Sequence, residues 1–206
     1  MSISKICEQY QSEMADYSRL MLTNLERAAK RSRSFKQLSV DQSHEELREF
    51  NLGHYLDEIF LSLNPMLHRS PHKYSYQCPA DITLNSTPGV FYQIISNLFT
   101  NSLVHAFPEG SEGQMSLDVN RSDCGIELVY RDDGCGMNTE VQQNIFVPFF
   151  TTKRGQGGSG LGMNIVYNLV TQVLGGEIRL ISAPGHGSEF RIILPYDIEA
   201  SSRASQ

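Results

Sequence analysis

The 206-residue sequence contains no apolar run approaching the roughly 18 residues that a membrane-spanning helix requires, so it offers no candidate for one. The first ten residues mix Ser, Lys, Glu and Gln and form no signal-peptide pattern. Four cysteines, Cys7, Cys78, Cys124 and Cys135, include no Cys-x-x-Cys pair. That argues against zinc and against a disulfide framework, and fits a reducing cytoplasmic compartment. Basic charge is in deficit, with 17 Lys+Arg against 23 Asp+Glu and a formal net charge of −6. A nucleic-acid binder usually carries a basic face, so nucleic acid is not the expected partner. A small polyanion can still be received by local backbone N–H groups and a divalent cation. Neither Pro nor Gly occurs before Gly53, so nothing breaks a helix by force over residues 1–46.

What is present suits a folded chain: 40% hydrophobic and 19% charged residues, in a length that allows one domain of roughly 150 residues plus an appendage. Within the appendage, Met14, Tyr17, Met21, Leu25 and Ala28 recur at steps of 3, 4, 4 and 3, a narrow helical stripe that needs a partner. A second copy of the chain or the following domain could supply it. The division expected is a helical segment over 1–46, a domain over 47–197 and a frayed polar tail over 198–206.

In the domain, Phe50 to Leu52 reads as a short strand and Gly53 to Leu67 as a helix with Leu56, Ile59, Phe60 and Leu63 on one side. Strands are expected at Lys73 to Pro79 and Asp81 to Leu84, around a turn at Pro79-Ala80. Thr87-Pro88 opens a helix that runs to Ala106. Two strands, Gln114 to Asn120 and Gly125 to Tyr130, are followed by a Gly-rich stretch from Gly134 to Gly162 with little room for regular structure. A helix to Leu174, closed by Gly175-Gly176, and two strands, Glu177 to Ser182 and Ser188 to Leu194, complete the pattern. Alternation without a strict βαβ repeat predicts an α/β (α+β) two-layer sandwich, a mixed sheet with helices on one face. The other face then needs cover or a polar surface.

Four clusters carry chemistry. Asn97 and Asn101 are four residues apart on a helix, hence on one face. Their amide oxygens could serve Mg²⁺, or they could simply bridge backbone. Asp132-Asp133-Gly134-Cys135-Gly136 follows an apolar strand. A carboxylate there can accept from an exocyclic amine, glycines let backbone approach a base, and Met137 could pack on it; a plain Asp-Gly turn would look the same. Phe146, Phe149 and Phe150 would form either a lid or a core hairpin, and Lys153 and Arg154 after them could meet phosphate. Residues 155–162, Gly-Gln-Gly-Gly-Ser-Gly-Leu-Gly, lead into a helix and form a phosphate receptor of the loop-then-helix-N-terminus kind. The immediate amphipathic helix argues against a flexible linker, and neither a Walker nor a Rossmann fingerprint is present.

In this order and spacing the segments resemble the N, G1, F and G2 boxes of the GHKL superfamily, whose ATP-binding domain is the Bergerat fold. Gly185-His186-Gly187-Ser188-x-Phe190 is similar to its last box, with Ser for the usual Thr. The resemblance spans about residues 48–196 and is strongest to sensor histidine kinases. It implies ATP and Mg²⁺ as cofactors. Asn101 would be the Mg²⁺ ligand, His105 would lie beside the nucleotide, and Asp132 would bind adenine. Gly134, Gly136 and Met137 would line the base, and Lys153, Gly158, Gly160, Leu161 and Gly162 the phosphates. Ser188 would make a water-bridged contact to adenine. Asn97 stands where hydrolytic relatives carry a Glu that activates water; an amide cannot be that base, which favours phosphotransfer. A response regulator would be the partner, and a homodimer would form through the N-terminal helix in the full protein. An anti-sigma-factor-type serine kinase shares the Asn101 to Ala106 pattern but usually keeps Glu at position 97, and a nucleotide-sensing or dimerisation module is the non-enzyme alternative.

Ser43-His44-Glu45-Glu46-Leu47-Arg48 resembles a phosphoacceptor box, but His44 is too close to the domain start to leave room for a hairpin. Residues 10–45 better resemble the second hairpin helix, so the acceptor His is expected upstream of Met1. His54, His68, His72 and His186 are expected at the surface.

Overall fold

The computed structural model describes Met21 and residues 47–123, 125–153 and 159–196. Apart from Met21, which is helical and exposed, the expected helix over 1–46 with His44 lies outside the described residues. So do Arg154, Gly158 and the tail.

Among the described residues, seven strands and four helices form the domain. Strand β1 (Arg48–Asn51) leads directly into helix α1 (Leu52–Leu67), which Asn51 caps by accepting from His54 N at 2.9 Å. Strands β2 (Lys73–Gln77) and β3 (Thr83–Ser86) precede α2 (Pro88–His105), in which Pro sits at the start where its missing N–H is harmless. Strands β4 (Gln114–Ser122) and β5 (Gly125–Asp132) form a hairpin. A short helix α3 (Thr139–Asn144) and α4 (Gly162–Asn168) follow, then β6 (Glu177–Ser182) and β7 (Ser188–Pro195). Five strands make one mixed sheet in the order β2-β4-β5-β7-β6, parallel only at β2–β4, while β1 and β3 pair apart from it.

Three local expectations change. The strands on either side of Pro79-Ala80 are not a hairpin: β2 joins β4 and β3 joins β1, because the intervening chain crosses from the main sheet to the small one. The Gly-rich stretch holds α3, nucleated by Asn138, whose Oδ1 accepts from Val141 N at 2.9 Å. The helix expected to Leu174 widens over Leu169–Val173 into a π-helical turn, in which Leu174 N donates to Leu169 O at 2.9 Å; Gly175, at φ 62°, then reverses the chain.

Alternation along the strands decides the layers. Met115, Leu117 and Val119 of β4, Ile126, Leu128 and Tyr130 of β5, and Phe190, Ile192 and Leu194 of β7 are buried on the helix-bearing face. An aromatic chain crosses this core: Phe60 of α1 meets Phe99 of α2 edge-on at 5.2 Å, and Phe99 meets Tyr130 at 4.9 Å. The opposite face is polar. Arg131 bridges Asp118 (2.8 Å) and Glu189 (2.6 Å), and Arg191 bridges Glu189 (2.5 Å) and Glu127 (3.5 Å). Val129 lies buried on that face at the pair register with Asp118 and Arg191. His54, His68 and His186 are exposed as expected, but His72 is half-buried and stacks on Phe107 at 4.1 Å, an apolar surface that the imidazole covers.

Candidate functional site

Between α2, the end of β5 and the start of α4 lies a cavity of about 520 Å³. Helix α2 supplies Asn97, Asn101 and His105, four residues apart and therefore on one side, as the spacing predicts. Asp132 closes β5. Gly136 and Met137 follow it, Gly160 and Gly162 stand at the opening of α4, and Ser188 begins β7. All nine line the same cavity. Gly134, Lys153 and Leu161 do not: Gly134 is buried where a Cβ would run into Ala106, Lys153 follows the lining residues Thr151 and Thr152, and Leu161 caps α4. The sequence-singled Gly158 lies outside the described residues.

Asp132 is 6% exposed. Its Oδ2 accepts from the Ser102 hydroxyl at 2.9 Å and its Oδ1 from Gly134 N at 3.1 Å. Burial pushes its pKa above the ordinary carboxylate value, against the pull of these two hydrogen bonds. The strand leading to it is apolar because it crosses the core, and the chain must turn sharply as it leaves. Backbone bonds hold that turn: Cys135 N donates to Ala106 O (2.7 Å), Gly187 N to Gly134 O (3.0 Å) and Gly185 N to Cys135 O (2.8 Å). Gly136 has φ 64°, and a Cβ there would run into the Ala183 carbonyl, so this position requires glycine.

Ser182 ties three segments together. Its Oγ accepts from Met137 N (2.9 Å), donates to Gly187 O (2.7 Å) and lies 3.3 Å from Ser188 Oγ. Gln142 Nε2 donates to Met137 O (2.9 Å) and Ser182 O (3.0 Å). Ser102, Ser182 and Gln142 are the positioning residues that sequence reasoning missed. Each stands where only tertiary contact reveals a role; Ser102 alone had a signal, being next to Asn101 on a buried helix face.

On α2, Asn97 Nδ2 donates to Gln93 O at 2.7 Å, which leaves its Oδ1 facing Gly162. No described residue hydrogen-bonds the Asn101 amide, so its oxygen is available to a ligand on the cavity wall. His105 Nδ1 lies 3.1 Å from Thr152 Oγ1; burial, and next the charge of Lys153, lower the imidazole pKa. The three phenylalanines do not act as one plug. Phe146 packs half-buried on the core and on Tyr167 at 5.3 Å, and Phe150 lines the cavity. Phe149 is 65% exposed at φ 65°, a strained conformation for a bulky residue.

Among described residues no helix is long and apolar enough to cross a membrane, and no cluster of three or more His, Cys, Asp or Glu side chains could cage a metal. Sensor histidine kinase ZraS of Klebsiella oxytoca is 39% identical over 120 residues, 57% of this chain and 24% of that protein. Sensor kinase CckA of Brucella abortus is 38% identical over 127 residues, 54% of this chain and 13% of that protein. The chain thus spans about a quarter or less of these relatives. Among solved structures, the nucleotide-free catalytic domain of histidine kinase ThkA superposes with a TM-score of 0.65 at 24% identity, covering 75% of this chain and 98% of that one. A histidine kinase domain from Erythrobacter litoralis EL346 covers 90% and 87% with a TM-score of 0.60 at 21% identity. These likenesses confirm the two-layer fold. Residues 87–198, more than half of the 206, match the family described as histidine kinase-, DNA gyrase B-, and HSP90-like ATPase, and the chain belongs to that family.

Proposed function

We propose that this chain is the ATP-binding catalytic part of a two-component sensor histidine kinase, a protein-histidine kinase that positions the γ-phosphoryl group of Mg·ATP for a histidine carried outside the domain. The observation that carries this reading is that the buried Asp132, Asn101 and the glycine-lined start of α4 line one 520 Å³ cavity. A purine fits beside the carboxylate, where an exocyclic amine can donate to Asp132. Phosphates fit beside α4, where Gly160, Gly162 and the first turn of α4 expose backbone N–H groups.

The residues fit a Mg²⁺ ion held mainly by nucleotide. No described residue hydrogen-bonds the Asn101 amide oxygen, and Mg²⁺ prefers phosphate oxygens, waters and few protein ligands. When bound, the ion would neutralise phosphate charge. The chain's own part is positioning: Asp132 fixes the base, the glycines admit the phosphates, and Asn97 offers only an amide. Position 97 offers no carboxylate to act as the general base that activates water, which supports transfer over hydrolysis.

The sensor histidine kinases among the relatives support a response regulator as the downstream partner; a homodimer through the N-terminal helix of the full protein and a cytoplasmic place of action belong to the same proposal. Neither nucleic acid nor a membrane is a proposed partner of this segment; the net charge is −6. The experiment is incubation with γ-labelled ATP, Mg²⁺ and a separately supplied acceptor hairpin. Acid-labile label on the hairpin histidine is expected. Hydrolysis to free phosphate with no transfer would refute the kinase reading.

A further inference from the structure

Asp132 poses a chemical problem. It is buried, and among the described residues the groups acting on it are Ser102 from α2, Asp133 and Tyr130 from its own segment, and the backbone of Gly134 and Ser188. None of these is a cation. Asp133 is a like charge and Tyr130 is itself buried. A carboxyl group so placed tends to keep its proton. A protonated carboxyl group is a hydrogen-bond donor as well as an acceptor, and could then serve a 6-oxo purine as readily as a 6-amino one. Among the described residues only hydrogen-bond donors oppose that outcome, and the side-chain donor is Ser102, 2.9 Å from Oδ2 and itself 0% exposed.

We infer that Ser102 is a positioning and specificity-determining residue: its hydroxyl proton, given to Asp132 Oδ2, holds Asp132 as an acceptor-only carboxylate, so that the cavity takes a 6-amino purine nucleotide and refuses a 6-oxo one. This rests on the proposed nucleotide site and adds to it a residue that never touches the ligand. The geometry divides the work. Gly134 N occupies one lone pair of Oδ1 at 3.1 Å and Ser102 one of Oδ2, and lone pairs remain for the base. An ionised carboxylate facing a guanine O6 sets acceptor against acceptor, a buried mismatch that discriminates strongly. Direction of charge, more than pocket shape, then selects the base.

The test uses Ser102→Ala, which removes only the oxygen from a fully buried position, and Ser102→Cys, which keeps the shape with a weaker donor. Two quantities are read: the Asp132 carboxyl titration by carbon NMR in nucleotide-free protein, and calorimetric affinity for ATP and GTP from mildly acidic to neutral pH. The expected result is a higher Asp132 midpoint in Ser102→Ala, ATP binding weakened about tenfold, more so on the acidic side, and a narrower ATP-over-GTP preference, with Ser102→Cys in between. An unmoved Asp132 midpoint, or equal loss of ATP and GTP at every pH, would overturn the inference while leaving the site intact. A wild-type chain that binds neither nucleotide would overturn the proposed function, and the base specificity with it.

Discussion

The side-chain oxygen of Asn97 lies 2.8 Å from where a Cβ on Gly162 would stand. Helices α2 and α4 therefore meet at a contact that admits hydrogen but not methyl. Gly162→Ala is expected to swing the Asn97 amide and break its 2.7 Å bond to Gln93 O, at a cost of about 1 kcal/mol. Denaturant unfolding reads the stability change. Nucleotide affinity should fall as well, since both residues line the cavity.

Gly136→Ala should be worse. The left-handed conformation alone costs a non-glycine residue about 1–2 kcal/mol, and the added Cβ would strike the backbone carbonyl of Ala183, which cannot rotate away as a side chain can. Thermal unfolding should rank Gly136→Ala clearly below Gly162→Ala. Equal melting points would show that the turn after Asp132 relaxes freely.

Asp132 also makes a prediction about stability. Its folded pKa is raised, chiefly by burial, so the folded state holds this proton more tightly than the unfolded chain does. The penalty for ionisation is absent below the unfolded value and complete above the folded one, so this group lowers stability as pH rises through that window. Asp132→Asn, whose amide can still meet Ser102 and Gly134, should unfold at a higher temperature than wild type at neutral pH in the absence of nucleotide. A lower melting temperature would mean that the carboxylate is structurally favourable and not held for binding.

His105 has the opposite sign. Burial, with Lys153 as the second cause, depresses its pKa, so protonating it opposes folding. Its contribution is neutral above the unfolded His value, and stability is lost as pH falls toward the depressed folded value. Proton NMR should place the imidazole midpoint below that of free His, and Lys153→Ala should move it only part of the way back, because burial remains. Full return in Lys153→Ala would make charge, not burial, the larger cause.

Asn101 should control the metal. Asn101→Ala is expected to leave the fold intact, since no described residue bonds its amide, and to reduce the gain in ATP affinity that Mg²⁺ brings. Titration with and without Mg²⁺ checks this. An unchanged metal dependence removes Asn101 from the ion.

Much of this site was legible because its residues sit at repeated spacings on regular elements. Asn97, Asn101 and His105 follow the helical period, and Asp132 ends an apolar strand. The two-layer sandwich followed from the alternation of elements, and the polar far face from the need to solvate a sheet covered on one side. What stayed hidden depended on contacts between distant segments. The crossover that separates β2 from β3 leaves no local mark, since Pro79-Ala80 reads equally well as a hairpin turn. Helix α3 was legible in principle through Asn138, but flanking glycines outweighed one cap. Ser182 and Gln142 act across 40 residues or more of chain, as the Gln142–Ser182 and Met137–Ser182 bonds show, and no pattern along the sequence marks such partners.

The most direct test of the account is calorimetric titration of the chain and of Asp132→Asn with Mg·ATP. One ATP per chain is expected and, in the variant, affinity lower by roughly ten- to a hundredfold, the worth of a buried charge-assisted hydrogen bond. No binding by the wild-type chain, or affinity in Asp132→Asn within about a factor of two of wild type on that same scale, would contradict it.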